Sequence, residues 1–368
     1  MKKIKICHVI NAFENGGAEA VILNYVGHMD RSMFDFHVLA HGIVSQSCVN
    51  KFKQLGFTIH IIPSKKTPVG HVIEMYKVFR TEKFDILHIA TTEWAFIAGF
   101  AGMVAGCKHR INHSHMAEIP NGIINTAFFR IKTYLGRLAT NEYWACGTDA
   151  AHAIFGEKNV NCGNVKIYNN AIEIEKYAYD EVVRSHFRND FGCSADTFVI
   201  GNIGRFSPQK NQLFLIDIFD KICMQYSDSC LVLVGEGPLK SVVQEKVHSM
   251  GLDSRVLFLG SRDDVNQIYQ MLDLLLMPSI MEGLPLVGIE AQISGLKVLF
   301  SSAVTKEVNF TGNCEYVPLE NTADAWAAHA ISMRGNYRRL SHKCQDYDIA
   351  KQALIMRQDY LKIINSGL

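Results

Sequence analysis

Along the first half of the chain, short apolar runs alternate with longer stretches whose apolar positions recur every three or four residues. Residues 4–10, 36–40, 58–61, 85–89, 110–113, 142–145 and 165–168 read as strands. Between them, 18–28, 69–80 and 123–138 carry a helical period. The run 94–107 is rich in Gly and Ala and too short to cross a bilayer, so it reads as a buried helix. Strands separated by helices predict right-handed crossovers and a parallel sheet. The alternation breaks around 169–179 and restarts with a strand at 198–203. Further strands are predicted at 231–234, 256–259, 274–277 and 298–300, with helices at 211–225, 239–250 and 286–294. A last helical stretch covers 347–364.

The fold class is therefore α/β: two Rossmann-like doubly wound domains facing a cleft, with a C-terminal helix crossing back. The expected boundaries are 1–172 for an acceptor-side domain, 173–345 for a nucleotide-sugar-binding domain and 346–368 for the closing helix. A length of 368 residues suits two such domains. Ligands in open α/β sheets sit beyond the carboxyl ends of the strands, so chemistry is sought directly after each predicted strand.

Charge and cysteine content narrow the setting. The net charge of +1 hides an asymmetry: residues 1–170 hold 18 Lys+Arg against 12 Asp+Glu, and the remainder 19 against 24. A basic first half favours an anionic partner, such as a lipid headgroup or a phosphate. No Lys/Arg-rich segment is interleaved with aromatics, which disfavours nucleic acid. The ten cysteines lack CxxC or zinc-ligand spacing and suggest reduced thiols in the cytoplasm. The basic start, Met1-Lys2-Lys3, runs directly into a strand-like segment without the long apolar core of a signal peptide.

Four motifs carry candidate chemistry. After the strand ending at Met277 come Glu282, Gly283, Leu284, Pro285, Leu286, Val287 and Glu290. Pro285 suits a first helical turn, and the backbone N–H groups of Gly283, Leu284, Leu286 and Val287 would face an oxygen-rich ligand. Glu282 and Glu290 each offer two oxygens to vicinal hydroxyls; capping and an ordinary salt bridge are the competing reading. After the strand ending at Ile203 come Gly204, Arg205, Lys210 and Asn211. A guanidinium, an ammonium and a helix start would meet the charge of a departing diphosphate, unless this is simply a solvated basic loop. Gly16 and Gly17, before Ala18 and Glu19, allow close backbone approach after the first strand. His113 and His115 end another strand, where an imidazole could meet a sugar hydroxyl; structural histidines are the alternative. Gly235 in a further turn and Arg262 after another strand are secondary candidates, Arg262 beside a nucleobase. No carboxylate or Cys cluster accompanies the histidines, so no metal is expected.

Together these motifs resemble the retaining glycosyltransferases of GT-B fold, in the branch called family 4. Gly16-Gly17-Ala18-Glu19 is similar to that family's amino-terminal glycine loop. Gly204-Arg205 through Lys210-Asn211 looks like its phosphate-binding motif, and Glu282 and Glu290 match its two glutamates separated by seven residues. Asn170-Ala171-Ile172-Glu173 is similar to its Asn-Gly-Ile-Asp hinge turn. The resemblance implies that Arg205 and Lys210 neutralise the donor diphosphate, Glu290 holds its ribose and Glu282 the transferred sugar. Gly16 and Gly17 would pack against the donor, and His115, or alternatively His113, would lie beside the sugar. It implies same-face transfer without a protein nucleophile and without cofactor or metal. Leu284-Pro285 replaces the frequent Phe-Gly, which bears on sugar specificity.

The implied reaction moves a hexose-type sugar, from UDP in the first instance, to a saccharide or polyprenyl-diphosphate-linked acceptor in polysaccharide assembly. The segment 125–137, with Phe128, Phe129, Arg130, Lys132, Tyr134 and Arg137, suits an anionic membrane surface or else packs on the sheet. A cytoplasmic enzyme at the inner face of the membrane follows. A nucleotide-sugar epimerase and an inactive nucleotide-sugar-binding protein are the alternatives.

Overall fold

Apolar runs with β-branched residues settle into seven strands in the first part of the chain. In order, the elements are β1 (Ile4–Val9), α1 (Gly17–Gly27), β2 (Phe34–Ala40), α2 (Gln46–Gln54), β3 (Thr58–Ile61), α3 (Pro68–Glu82), β4 (Ile86–Ile89), α4 (Ala95–Ala105), β5 (His109–Ser114), α5 (Ile123–Ala139), β6 (Glu142–Ala145), α6 (Thr148–Asn161) and β7 (Val165–Ile167). All strands pair in parallel, in the order β3-β2-β1-β4-β5-β6-β7. The order reverses between β1 and β4, the position at which open α/β sheets part their flanking loops and bind ligands.

The second part repeats the plan: α7 (Glu181–Asp190), β8 (Phe198–Ile203), α8 (Gln212–Gln225), β9 (Ser229–Val234), α9 (Lys240–Ser249), β10 (Val256–Gly260), α10 (Val265–Met271), β11 (Leu274–Met277), α11 (Leu286–Ile293), β12 (Lys297–Ser301), β13 (Cys314–Val317) and α12 (Ala323–Ser332). Its six parallel strands run β10-β9-β8-β11-β12-β13, reversing between β8 and β11. Phe198, Leu215, Phe219, Leu231, Leu274 and Trp326 belong to one core cluster there.

This is a computed structural model, and it describes every residue except 1, 2, 15, 92, 93, 116–121, 336–338, 340, 343, 367 and 368. Met1 and Lys2, read above as part of the basic start, lie outside the described residues. The chain forms two compact units, Met1–Ile172 with Gln345–Leu368, and Glu173–Cys344. The final helix, α13 (Ile349–Asn365), is thus part of the first unit. Its apolar stripe, Ile349, Ala353, Met356, Tyr360 and Ile363, is buried. The Tyr360 hydroxyl lies 2.6 Å from His88 Nδ1, and Tyr168 donates to Asp359 at 2.5 Å.

Several elements lack a strong periodic signal. In α6 the pattern is interrupted by Gly156 at φ +79°, and α7 buries only Phe187 and Arg188. Strand β13 is an edge strand with one fully buried position, so its alternation is faint.

Candidate active site

The strongest constellation lies at the β8/β11 switch point of the second unit. Beyond Ile203 the chain turns through Gly204 and Arg205 and is pinned by Phe206, which is fully buried. A single 3₁₀ turn, Pro208–Lys210, leads to Asn211 in the left-handed region at φ +56°, where α8 begins. The loop after β11 is stitched to this one. Ile280 N donates to Gln209 O (2.8 Å), Gln209 Nε2 to Met281 O (2.9 Å) and Asn211 Nδ2 to Pro278 O (3.1 Å). That stitching brings Lys210 Nζ to 2.5 Å from Glu282 Oε1, with the side chains 17% and 8% exposed. The ammonium and the carboxylate assigned to phosphate and sugar therefore form one pair. Charge-assisted contacts of this kind hold geometry well, and a shielded pair is costly to separate without replacement partners.

Glu290 lies in α11, and both of its carboxylate oxygens are engaged. Tyr177 donates to Oε1 at 2.9 Å and Tyr269 to Oε2 at 2.8 Å. Burial pushes the Glu290 pKa up, and the two phenols partly oppose that by favouring the charged form. The clamp fixes the rotamer and leaves remaining lone pairs on each oxygen for a ligand hydroxyl. Neither tyrosine was singled out from the sequence. Tyr177 sits in a 3₁₀ turn and Tyr269 in the short α10, and no spacing relates them to Glu290.

Pro285 is the N-cap of α11 rather than its first helical residue, and no side chain caps that helix. Gly283 and Leu286 are half-buried, while Leu284 is buried. Gly235 (φ +136°) serves close packing: a Cβ there would lie 2.0 Å from Gly204 O. Gly204 itself has φ +155°, where an added Cβ would crowd Lys210. Arg205 is exposed. Arg262 is held by Asp264 in its own loop, at 2.8 and 2.6 Å.

In the first unit, Gly16 and Gly17 open α1. Glu19 reaches back so that Gly16 N donates to its Oε2 at 3.0 Å, and one donor of the helix start is already used. A Cβ on Gly17 would meet nothing within 4 Å. His113 is an interior residue: its Nδ1 lies 2.8 Å from His88 Nε2, and its ring is beside Trp144 and Tyr168. His8, His88, His113 and His115 form a ladder with successive ring centroids 4.7, 5.0 and 4.2 Å apart. Burial lowers the His115 pKa to about 4 and that of His8 to about 3, and drives His88 and His113 well down. All four are neutral at physiological pH, so His115 would offer a neutral hydrogen-bonding imidazole. Among the described residues, no three His, Cys, Asp or Glu side chains gather as a metal-binding group.

Residues 197–336 match the family model "Glycosyl transferases group 1". The chain is 28% identical over 329 residues to a putative glycosyltransferase, EpsF, of Bacillus subtilis (strain 168), covering 88% of this chain and 86% of that one. It is 24% identical to the Escherichia coli UDP-Gal:alpha-D-GlcNAc-diphosphoundecaprenol alpha-1,3-galactosyltransferase, covering 82% and 80%. In architecture it is similar to Anabaena Alr3699/HepE, crystallised with UDP and glucose, with a TM-score of 0.75, 19% identity and coverage of 99% and 98%. The matched segment contains Arg205, Lys210, Glu282, Glu290 and Tyr269.

Proposed function

The chain is a glycosyltransferase with a group 1 domain and the GT-B fold, and on that premise we propose that it transfers a hexose from a UDP-sugar with retention of configuration and without a metal ion. The observation that carries this reading is the Lys210–Glu282 pair at the β8/β11 switch point, with Glu290 clamped nearby in sequence on α11. Lys210 and Arg205 bring positive charge to a leaving diphosphate, the role otherwise taken by a divalent cation. As the anomeric C–O bond breaks, negative charge grows on the terminal phosphate oxygen. That oxygen takes the acceptor's proton while the acceptor oxygen bonds the anomeric carbon from the same face. Glu282 holds hydroxyls of the transferred sugar and Glu290 those of the ribose. His115, with Gly16 and Gly17, is assigned to the transferred sugar and donor.

A saccharide or polyprenyl-diphosphate-linked acceptor in bacterial surface polysaccharide assembly is the proposed second substrate. The acceptor in the Escherichia coli relative's name, a GlcNAc-diphosphoundecaprenol, supports it. A peripheral position on the inner face of the membrane is proposed from α5. No described helix is long and apolar enough to span a membrane, but α5 exposes Ile124, Phe128, Ile131 and Leu138 beside Arg130, Lys132 and Arg137.

A panel of UDP- and GDP-sugars tests the reading, with donor hydrolysis and transfer followed by NMR of the anomeric proton. Retained configuration and activity in EDTA are expected. An inverted product removes the retaining mechanism, and loss of activity in EDTA removes the metal-free one. Donor epimerised without acceptor would establish the epimerase instead.

A further inference from the structure

The first unit has its own switch point, between β1 and β4, and apart from the membrane contact proposed for Lys132 none of the roles assigned above uses the side chains gathered there. Just beyond β4 come Thr91 and Trp94, Trp94 leading into the eleven-residue α4. Just beyond β1 is Asn11, whose Oδ1 accepts from Lys65 Nζ at 2.8 Å. The Lys65 ammonium lies 5.1 Å from the centre of the Trp94 ring, and that of Lys132, from α5, lies 4.7 Å from it. Thr91, Trp94, Lys65 and His41 line one small recess over the strand ends.

Two features of this recess point to a ligand rather than to packing alone. Thr91 is only 7% exposed, yet among the described residues its hydroxyl has no hydrogen-bond partner, and neither has His41 Nε2. Buried polar atoms are normally satisfied, so such a pair aimed into one recess calls for a polar occupant. In addition, two ammonium groups from separate elements converge on one aromatic ring at a helix amino end. Those charges and that dipole suit an anion, and the indole offers a flat apolar face to a sugar ring.

We propose that this cluster is the acceptor subsite, binding the glycosyl diphosphate head of the acceptor, with Lys65 and Lys132 on the phosphates, the sugar against Trp94, and Thr91 and His41 on its hydroxyls. This rests on the glycosyltransferase reading and supplies the chemistry of its second substrate. Lys132 lies one helical turn after Phe128, on the margin of the exposed apolar stripe of α5, so an alkyl chain attached to the diphosphate has an apolar path away from the subsite.

The chain has three tryptophans, and Trp144 and Trp326 are wholly buried while Trp94 is 36% exposed. Fluorescence therefore reports on the subsite directly, without donor or turnover. The probes are a short-chain alkyl glycosyl diphosphate, the matching alkyl glycoside without phosphate, and inorganic pyrophosphate. The expected result is a saturable change with the glycosyl diphosphate, at least about tenfold weaker binding of the phosphate-free glycoside, and a similar weakening in Lys65→Met and Lys132→Met, the size set by one lost charge-assisted contact. Trp94→Phe should abolish the signal. Pyrophosphate binding as tightly as the full head would show an anion site without a sugar contact and overturn the proposal. So would unchanged affinity in both lysine variants, provided their melting temperatures match the wild type; a variant that melts early is replaced by Lys→Gln. Donor hydrolysis by the wild type decides the glycosyltransferase reading separately, so either can fail alone.

Discussion

Lys210 and Glu282 neutralise each other, so under the proposed function an incoming diphosphate would have to draw the ammonium toward itself while a sugar hydroxyl took its place on the carboxylate. Lys210→Ala removes the cation and leaves Glu282 shielded without its partner, and kcat/KM for transfer should fall about 100-fold or more with the fold intact by circular dichroism. The tyrosine clamp on Glu290 gives a finer test. Its phenols favour the ionised carboxylate, so Tyr269→Phe or Tyr177→Phe should raise the Glu290 pKa further above the ordinary carboxylate value. The acid limb of the pH profile should then move to higher pH, and donor KM should rise roughly tenfold at neutral pH. A packing role alone would leave the limb in place. The glutamates were legible because they share one loop and helix at fixed spacing. Tyr177 and Tyr269 were not, since only the packing of α10 and the 174–177 turn against α11 brings their hydroxyls to Glu290.

At the scale of elements, the strands were legible wherever both faces are buried, as in β8 and β11, whose predicted limits match the folded ones. Long helices with one apolar face, such as α3 and α5, were legible to within a few residues. What periodicity did not separate was the two apolar faces of α5. Phe129, Thr133, Gly136 and Ala139 face inward, whereas Ile124, Phe128, Ile131 and Leu138 are exposed. An exposed stripe of that kind suits the proposed membrane contact. Phe128→Ser with Ile131→Ser should reduce partition onto anionic phospholipid vesicles by at least about tenfold, each side chain contributing roughly 1.5–3 kcal/mol when buried in lipid. Sedimentation with vesicles of phosphatidylglycerol and phosphatidylcholine measures this. Equal binding to purely zwitterionic vesicles would remove the role given to Arg130, Lys132 and Arg137.

For the whole molecule, the histidine ladder sets a pH dependence of stability. His8 and His115 have folded pKa values near 3 and 4, and His88 and His113 are also well below the free imidazole value. Between those values and about 6.5 the unfolded chain binds more protons than the folded one, so stability rises with pH in that window. The contribution is complete above about pH 6.5 and is lost progressively as the pH falls toward 4. The melting temperature should therefore drop between pH 7 and pH 5, and His8→Phe should flatten that slope. A flat profile in the wild type would mean that the ladder is hydrated and charged.

The route of the chain through its units also orders its synthesis. Ile172 N donates to Tyr347 O at 2.9 Å and Ile349 N to Ile172 O at 3.0 Å, so the segment that leaves the first unit meets the one that returns to it. Glu173–Cys344 is a continuous insertion, whereas the first unit lacks α13 until the ribosome has passed it. At about 5–20 residues per second, the earlier-made unit waits roughly ten seconds or more for Tyr360 to reach His88. The later-made unit should become protease-resistant first on stalled nascent chains, and residues 1–172 released alone should need a chaperone or the 345–368 peptide in trans to reach a native fold.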